Sequence, residues 1–185
     1  MTRAGLFRFR GLVPVPLLLA QWALAGPVNW EIYWLGLGLG EVLRFWAAGH
    51  ISRSSRTKGS EVGLLVVRGP YAHVRNPIYV GNMLQWIGLG GLCGPGWAAA
   101  WFVLGAGLYG TLVPWEEQQL ARRWPEQFNY WANSVWRWTP HMEAGGMPPR
   151  MTKTRWRPRT AIASEWGTWL MWGVVTLAFM RPWAA

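Results

Sequence analysis

The chain is poor in the residues that usually build a metal or redox centre. It has a single cysteine, Cys93, in 185 residues, so an internal disulfide and a thiolate zinc cluster are both excluded. Its three histidines, His50, His73 and His141, are scattered, and that spacing predicts no metal site. Acids are scarce as well: 8 Asp and Glu stand against 18 Lys and Arg, a formal charge of +10. Such a balance can mark a nucleic-acid binder. Here no basic stripe interleaved with aromatics lies inside a soluble domain, so nucleic acid is not the expected partner. Charge is missing altogether from residues 11–30.

What the chain has instead is apolar length and tryptophan. Its 17 Trp and charge-free runs with basic flanks fit a membrane protein of several spans. The expectation is an all-α, polytopic chain of one domain, residues 1–185, with about five transmembrane helices near 11–27, 30–48, 77–93, 97–113 and 162–180. The first of these could also be a cleaved signal segment, since Ala23-Leu24-Ala25 has the small-residue form of a cleavage site. Pro14 and Pro16 spoil a clean core and further spans follow, so it is read as a span. Gly36 and Gly40 carry the small-residue spacing that lets two helices touch. Glu41 and Arg44 fall three apart on one face of the same segment, and an ionisable group at such a place is often functional. In the other spans Asn82 and Gln85 are polar groups of the third, and Glu165 is the lone acid of the last. Pro114-Trp115-Glu116-Glu117 has the form of a new helix start, with Pro first and acids in the first turn. Pro125-Glu126 repeats it, giving an aromatic, amphipathic segment to about Val135 that suits the membrane surface or a cap on the bundle.

Charge then orients the whole. With residues 1–10, the end of the second span through residue 76, and residues 114–160 placed inside, every Lys and Arg except Arg181 lies on the cytoplasmic side. The N-terminus and the polar loops are thus expected at the cytoplasmic face of a bacterial or archaeal inner membrane. Val62–Val67 is expected in the interface or as a short strand, and residues 141–160 as a basic, Pro-rich loop.

The stretch Arg68-Gly69-Pro70-Tyr71-Ala72-His73-Val74-Arg75-Asn76-Pro77-Ile78-Tyr79-Val80-Gly81 is where a basic loop becomes an apolar helix. Gly69-Pro70 marks a turn, and Asn76-Pro77 reads as an N-cap and first helical residue. Arg75 and Asn76 then sit at a helix N-terminus, which favours an anion such as a carboxylate or phosphate.

This stretch resembles the Gly-x-Tyr-x-x-x-Arg-His-Pro-x-Tyr-x-Gly signature of the integral-membrane methyltransferases, the isoprenylcysteine carboxyl methyltransferase and phospholipid methyltransferase group, with Asn76 in place of the usual His. A second region, Glu116-Glu117-Gln118-Gln119-Leu120 through Phe128, Trp131, Val135-Trp136-Arg137 and Pro140, is similar to that group's acidic and aromatic motif. The resemblance implies an enzyme that uses S-adenosylmethionine to methylate a lipophilic acceptor, an isoprenylcysteine-like carboxylate or a phospholipid amine, with membrane lipids as surroundings and a cytoplasmic cofactor-binding cap. It implies Arg44, Arg75, Glu116 and Arg137 as catalytic residues. It implies Gly69, Tyr71, His73, Arg75, Asn76, Pro77, Tyr79, Gly81, Glu116 and Glu117 as cofactor-binding residues, and no metal. Gly69 and Gly81 are expected to allow close backbone approach. Two rival readings are an NADPH-dependent membrane reductase of the sterol reductase type and a non-catalytic membrane scaffold.

Overall fold

The computed structural model describes residues 3–51, 65–141 and 155–180. These hold seven α-helices: α1 (Arg3–Phe9), α2 (Val15–Ala23), α3 (Trp30–Ala48), α4 (Pro77–Gly91), α5 (Pro95–Arg123), α6 (Pro125–Ser134) and α7 (Pro158–Phe179). A 3-10 turn spans Gly69–Ala72. Among the described residues the sole pairing of extended backbone is a parallel bridge between Val74 and Trp136. The all-α expectation holds. One described helix, α5, is long and apolar enough to cross a membrane by length and composition, so five separate spans are more than those criteria establish.

Helices α3 and α4 make the most extensive helix pair, and the reason is glycine. A Cβ on Gly36 would lie 2.5 Å from the Gly88 Cα, and one on Gly40 would lie 2.5 Å from the Gly81 carbonyl oxygen. The two backbones therefore touch with no side chain between them. Gly90 similarly brings α4 against Ala98 of α5, where an added Cβ would meet the Ala98 Cα at 2.6 Å. Helix α7 docks on α3. Tyr33 and Thr176 share a hydrogen bond of 2.7 Å on that seam.

Three apolar cores follow. At one end Tyr33, Leu89, Leu92, Trp101, Trp172, Val175 and Phe179 pack with Leu17 and Leu18 of α2. In the middle Leu108, Tyr109, Leu112 and Val113 of α5 meet Leu6, Phe7 and Val13. At the loop end Leu65, Val66 and Val67 are buried with Tyr71, Phe128, Trp131 and Val135. The amphipathic helix α6 thus caps the bundle by inserting Phe128 and Trp131. Outward faces are apolar: Leu35 is 63% exposed, Val42 70%, Val103 67% and Leu177 67%.

Several boundaries differ from those read in the sequence. The segment 11–27 is not one helix: the chain breaks between Phe9 and Val15, where Pro14 and Pro16 deny the backbone the donors a continuous helix needs. It nonetheless keeps pace with α5, since Phe7 packs on Trp115 and Gln21 accepts a hydrogen bond from Trp101. Pro114 does not begin a helix but lies inside α5, which runs on to Arg123. Its neighbours Leu112, Val113 and Glu117 are buried on one face, and that packing outweighs the local cost of proline. Helix α4 stops at Gly91, before residue 93. The last helix starts at Pro158, ahead of residue 162. Leu65–Val67 is buried core rather than a short strand or an interfacial segment. Val62, Arg53, Arg56, Lys58, Arg150, Lys153 and Arg181 lie outside the described residues.

Candidate functional site

Two polar clusters are built into this frame. The first is inside the bundle. Arg44 of α3 donates from Nε to Glu165 Oε2 of α7 at 3.1 Å, with its Nη2 against the same oxygen. It also donates to Thr168 Oγ1 at 3.1 Å and to the Asn82 side-chain oxygen of α4. Glu41 lies 3.9 Å from Arg44 Nε. Its own oxygens accept from Gln85 Nε2 at 3.0 Å and Trp169 Nε1 at 2.5 Å. Asn82 in turn donates to the Tyr109 hydroxyl at 3.0 Å. Glu165 is wholly buried, so a charge otherwise costly in an apolar interior is matched by a guanidinium.

The second cluster sits where the loops meet the helix ends. Glu117, buried on α5, is shared by two arginines. Arg137 donates from Nε at 3.1 Å and from Nη2 at 2.6 Å to Glu117 Oε2. Arg75 Nη1 lies 3.5 Å from the same oxygen. Asn76 Nδ2 donates to Glu117 Oε1 at 3.1 Å. Next to it Glu116 accepts from the Tyr79 hydroxyl at 2.7 Å, and the Tyr79 ring packs tilted against that of Tyr109 with centroids 4.7 Å apart. The Arg137 guanidinium is raised by its hydrogen bonds to Glu117. Burial lowers Arg75, while Glu117 opposes that and Arg137 adds to it. Both remain cations at neutral pH. Arg75 Nε is buried without a hydrogen-bond partner.

Of the residues expected to act together, Arg75, Asn76, Tyr79, Glu116, Glu117 and Arg137 do converge. Arg44 does not join them. It belongs to the interior cluster, linked to the outer one through Asn82, Tyr109 and the Tyr79 ring. Pro77 opens α4 as its first helical residue, but Asn76 makes no side-chain cap; its amide is spent on Glu117 instead. Tyr71 is core, and its carbonyl accepts from Trp131 Nε1 at 2.8 Å. Gly69 has φ +61° and lies against His50. The close approach at Gly81 is to helix α3, with an added Cβ meeting the Arg44 Cγ at 2.6 Å. His73 Nδ1 faces the His141 carbonyl at 3.0 Å. Sequence reasoning did not pair Glu165 with Arg44, although a lone acid in an apolar helix was the available signal. It also missed Gln21, whose amide donates to the Leu89 carbonyl at 2.7 Å and fixes α2. Nothing in the described residues groups three His, Cys, Asp or Glu for a metal.

The fold and its two clusters thus define a helical bundle that is apolar outside and ion-paired inside. No family model and no solved structure matches the chain. It is similar to the nickel-cobalt-cadmium resistance protein NccN of Alcaligenes xylosoxydans xylosoxydans, with 30% identity over 141 residues, 70% of this chain and 62% of the relative. It is also similar to the cobalt-zinc-cadmium resistance protein CzcN of Cupriavidus metallidurans, with 32% identity over 139 residues, 69% of this chain and 59% of the relative. The match therefore spans less than two thirds of either relative. Both are metal resistance proteins by name, and neither name speaks of methyl transfer. That corrects the recognition drawn from the motifs, together with the methyl-transfer function and the assignment as an enzyme; the reductase and scaffold rivals gain no support either. The motif residues that carried the resemblance have a bonding role within the chain, holding loops to helices around Glu117.

Proposed function

We propose that this chain is a membrane-embedded component of bacterial resistance to divalent transition metals of the nickel, cobalt, zinc and cadmium group. The observation that carries the reading is the similarity to two resistance proteins over about 140 residues each. The inward ion pairs and outward apolar side chains support the membrane setting, because lipid is the solvent in which that arrangement is favourable. In this reading α3, α4, α5 and α7 span the bilayer with the broken α1–α2 segment alongside. The Glu117 end faces the cytoplasm, as the charge distribution favours. Lipids and a lipophilic small molecule are the expected partners of the outer faces. The two guanidiniums around one carboxylate, with Arg75 Nε left unpaired, suit a small anionic group at that end.

The test is growth. A host lacking the gene should be inhibited at lower nickel, cobalt, zinc or cadmium concentrations than its parent, and the intact gene should restore resistance. Unchanged sensitivity to all four ions would remove the assignment. Topology is tested separately with Cys93→Ser as background and a cysteine at Ser55: an impermeant thiol reagent should label it only after lysis.

A further inference from the structure

We propose that the entry to α7 is a docking surface for one anionic phospholipid of the cytoplasmic leaflet, with the Arg155, Arg157 and Arg159 guanidiniums on its phosphate. The inference rests on the membrane setting proposed above. Residues 155–157 are extended and lead into Pro158, the first residue of α7. They are fastened to α3. Arg157 N donates to the Gly49 carbonyl at 2.9 Å, and Trp156 lies on Gly49 and beside Phe45, with ring centroids 5.8 Å apart. Successive residues of extended backbone face opposite ways. With Trp156 turned onto α3, Arg155 and Arg157 are turned outward, and both are exposed. Arg159 is exposed as well, in the first turn of the helix. Among the described residues none of the three is paired with an acid, and the first turn of α7 holds no acid to offset them. Cations set this close repel one another, and an anion among them relieves the repulsion.

What lies beside those charges says which anion. Arg159, Ile162, Trp166 and Leu170 recur at helical spacing, so they line one face of α7. On that face Ile162 is 49% exposed, Trp166 57% and Leu170 59%. A soluble anion gains nothing from such an apolar strip. A phospholipid does, because its phosphate and acyl chains are joined end to end, as the arginines and the strip are. Ile162 to Leu170 rises about 12 Å, close to the depth of one leaflet of hydrocarbon, about 15 Å. The amphipathic Trp156 ring then stands at headgroup level, where tryptophan is favoured. The sign of the lipid follows from the same charges. A zwitterionic headgroup carries its own cation, which the guanidiniums repel, whereas phosphatidylglycerol carries none. Arginine forks also match phosphate oxygens two at a time.

The intact chain would be placed in nanodiscs of phosphatidylcholine doped with photoactivatable phosphatidylglycerol, and cross-linked peptides mapped by mass spectrometry. Cross-links are expected on residues 155–170, favoured over those from equally doped photoactivatable phosphatidylcholine by about tenfold or more. Arg155→Gln combined with Arg159→Gln should remove that preference. Arg8→Gln combined with Arg122→Gln, which lowers the charge equally at exposed positions of other helices, should leave it intact. Cross-linking without headgroup preference, a preference untouched in the first pair, or one lost equally in the second would each overturn the proposal. So would displacement of the lipid by glycerol phosphate at the same concentration, since the patch would then read free phosphate. The membrane setting fails on a different result. A parent that does not enter nanodiscs loses that setting and the site with it; one that enters them and shows no preference loses the lipid site alone.

Discussion

The two polar clusters are built on opposite ratios. Inside the bundle, one guanidinium, Arg44, serves Glu165 and has Glu41 at its edge, and all three belong to helices. At the loop end, one carboxylate, Glu117, serves two guanidiniums, and both of those belong to loops. Neutral donors complete each in its own way: Gln85 and Trp169 satisfy Glu41, while Asn76 satisfies Glu117. The interior cluster fixes where α7 lies on α3. The outer one fixes where the chain enters and leaves the bundle, and its surplus of cations leaves something to offer a ligand. Similar chemistry thus does packing in one place and presentation in the other.

The comparison breaks most severely at Arg44. Removing one partner of a buried pair strands the other, at a cost of about 3–5 kcal/mol. Arg44→Met alone should therefore lower thermal stability in detergent sharply, and Arg44→Met combined with Glu165→Leu should recover much of the loss. An equally unstable double variant would show that the pair sets α7 in some other way. Glu117→Gln should cost less, about 1.5–3 kcal/mol, because two partly exposed guanidiniums can turn to water; urea unfolding followed by tryptophan fluorescence would measure it. Arg75→Lys should change stability by under about 1 kcal/mol, since its contact with Glu117 is long and single, yet Lys cannot reproduce the planar fork. Loss of metal resistance with normal abundance would mark Arg75 as a presenting group, whereas unchanged resistance would return it to anchoring.

The smallest effect expected is one of pH. His50 is lowered from its usual value, first by burial and then by Arg68. Its folded state therefore prefers the neutral ring. Stability from this residue is complete above about 6.5, the unfolded value, and falls as pH drops through 6.5 toward the lower folded value. Melting curves between pH 7.5 and 5 should show a slope that His50→Gln flattens. An identical slope in the variant would assign it elsewhere.

Much of this was legible in the sequence, for local reasons. Gly36 and Gly40 announced a backbone contact, and the partners proved to be Gly88 and Gly81. The start of α4 at Pro77 and of α6 at Pro125 followed from proline at the first helical position. Pro114 misled because the same signal was overridden by burial of its neighbours. The break near Pro14 was half visible, as a spoiled core rather than a second helix. The site fared unevenly. Arg75, Asn76, Glu117 and Arg137 share motifs and do meet, but no spacing could reveal that Arg44 would turn to Glu165, 121 residues on. Nor could motifs settle the protein's role: the relatives speak of metal resistance where the motifs spoke of methyl transfer.

The length of α5 has its own consequence. Twenty-nine residues make a rod of about 43 Å, whereas a bilayer's hydrocarbon is about 30 Å thick. In the membrane reading an upright rod would leave roughly a third of its length clear of the lipid, and its last turns carry Glu116 and Glu117. The helix then acts as a gauge that sets the height of the outer cluster above the hydrocarbon. Thicker lipid would draw both acids toward the acyl chains and thinner lipid would lift them into water, so the cluster's behaviour should track the chain length of the lipids around it.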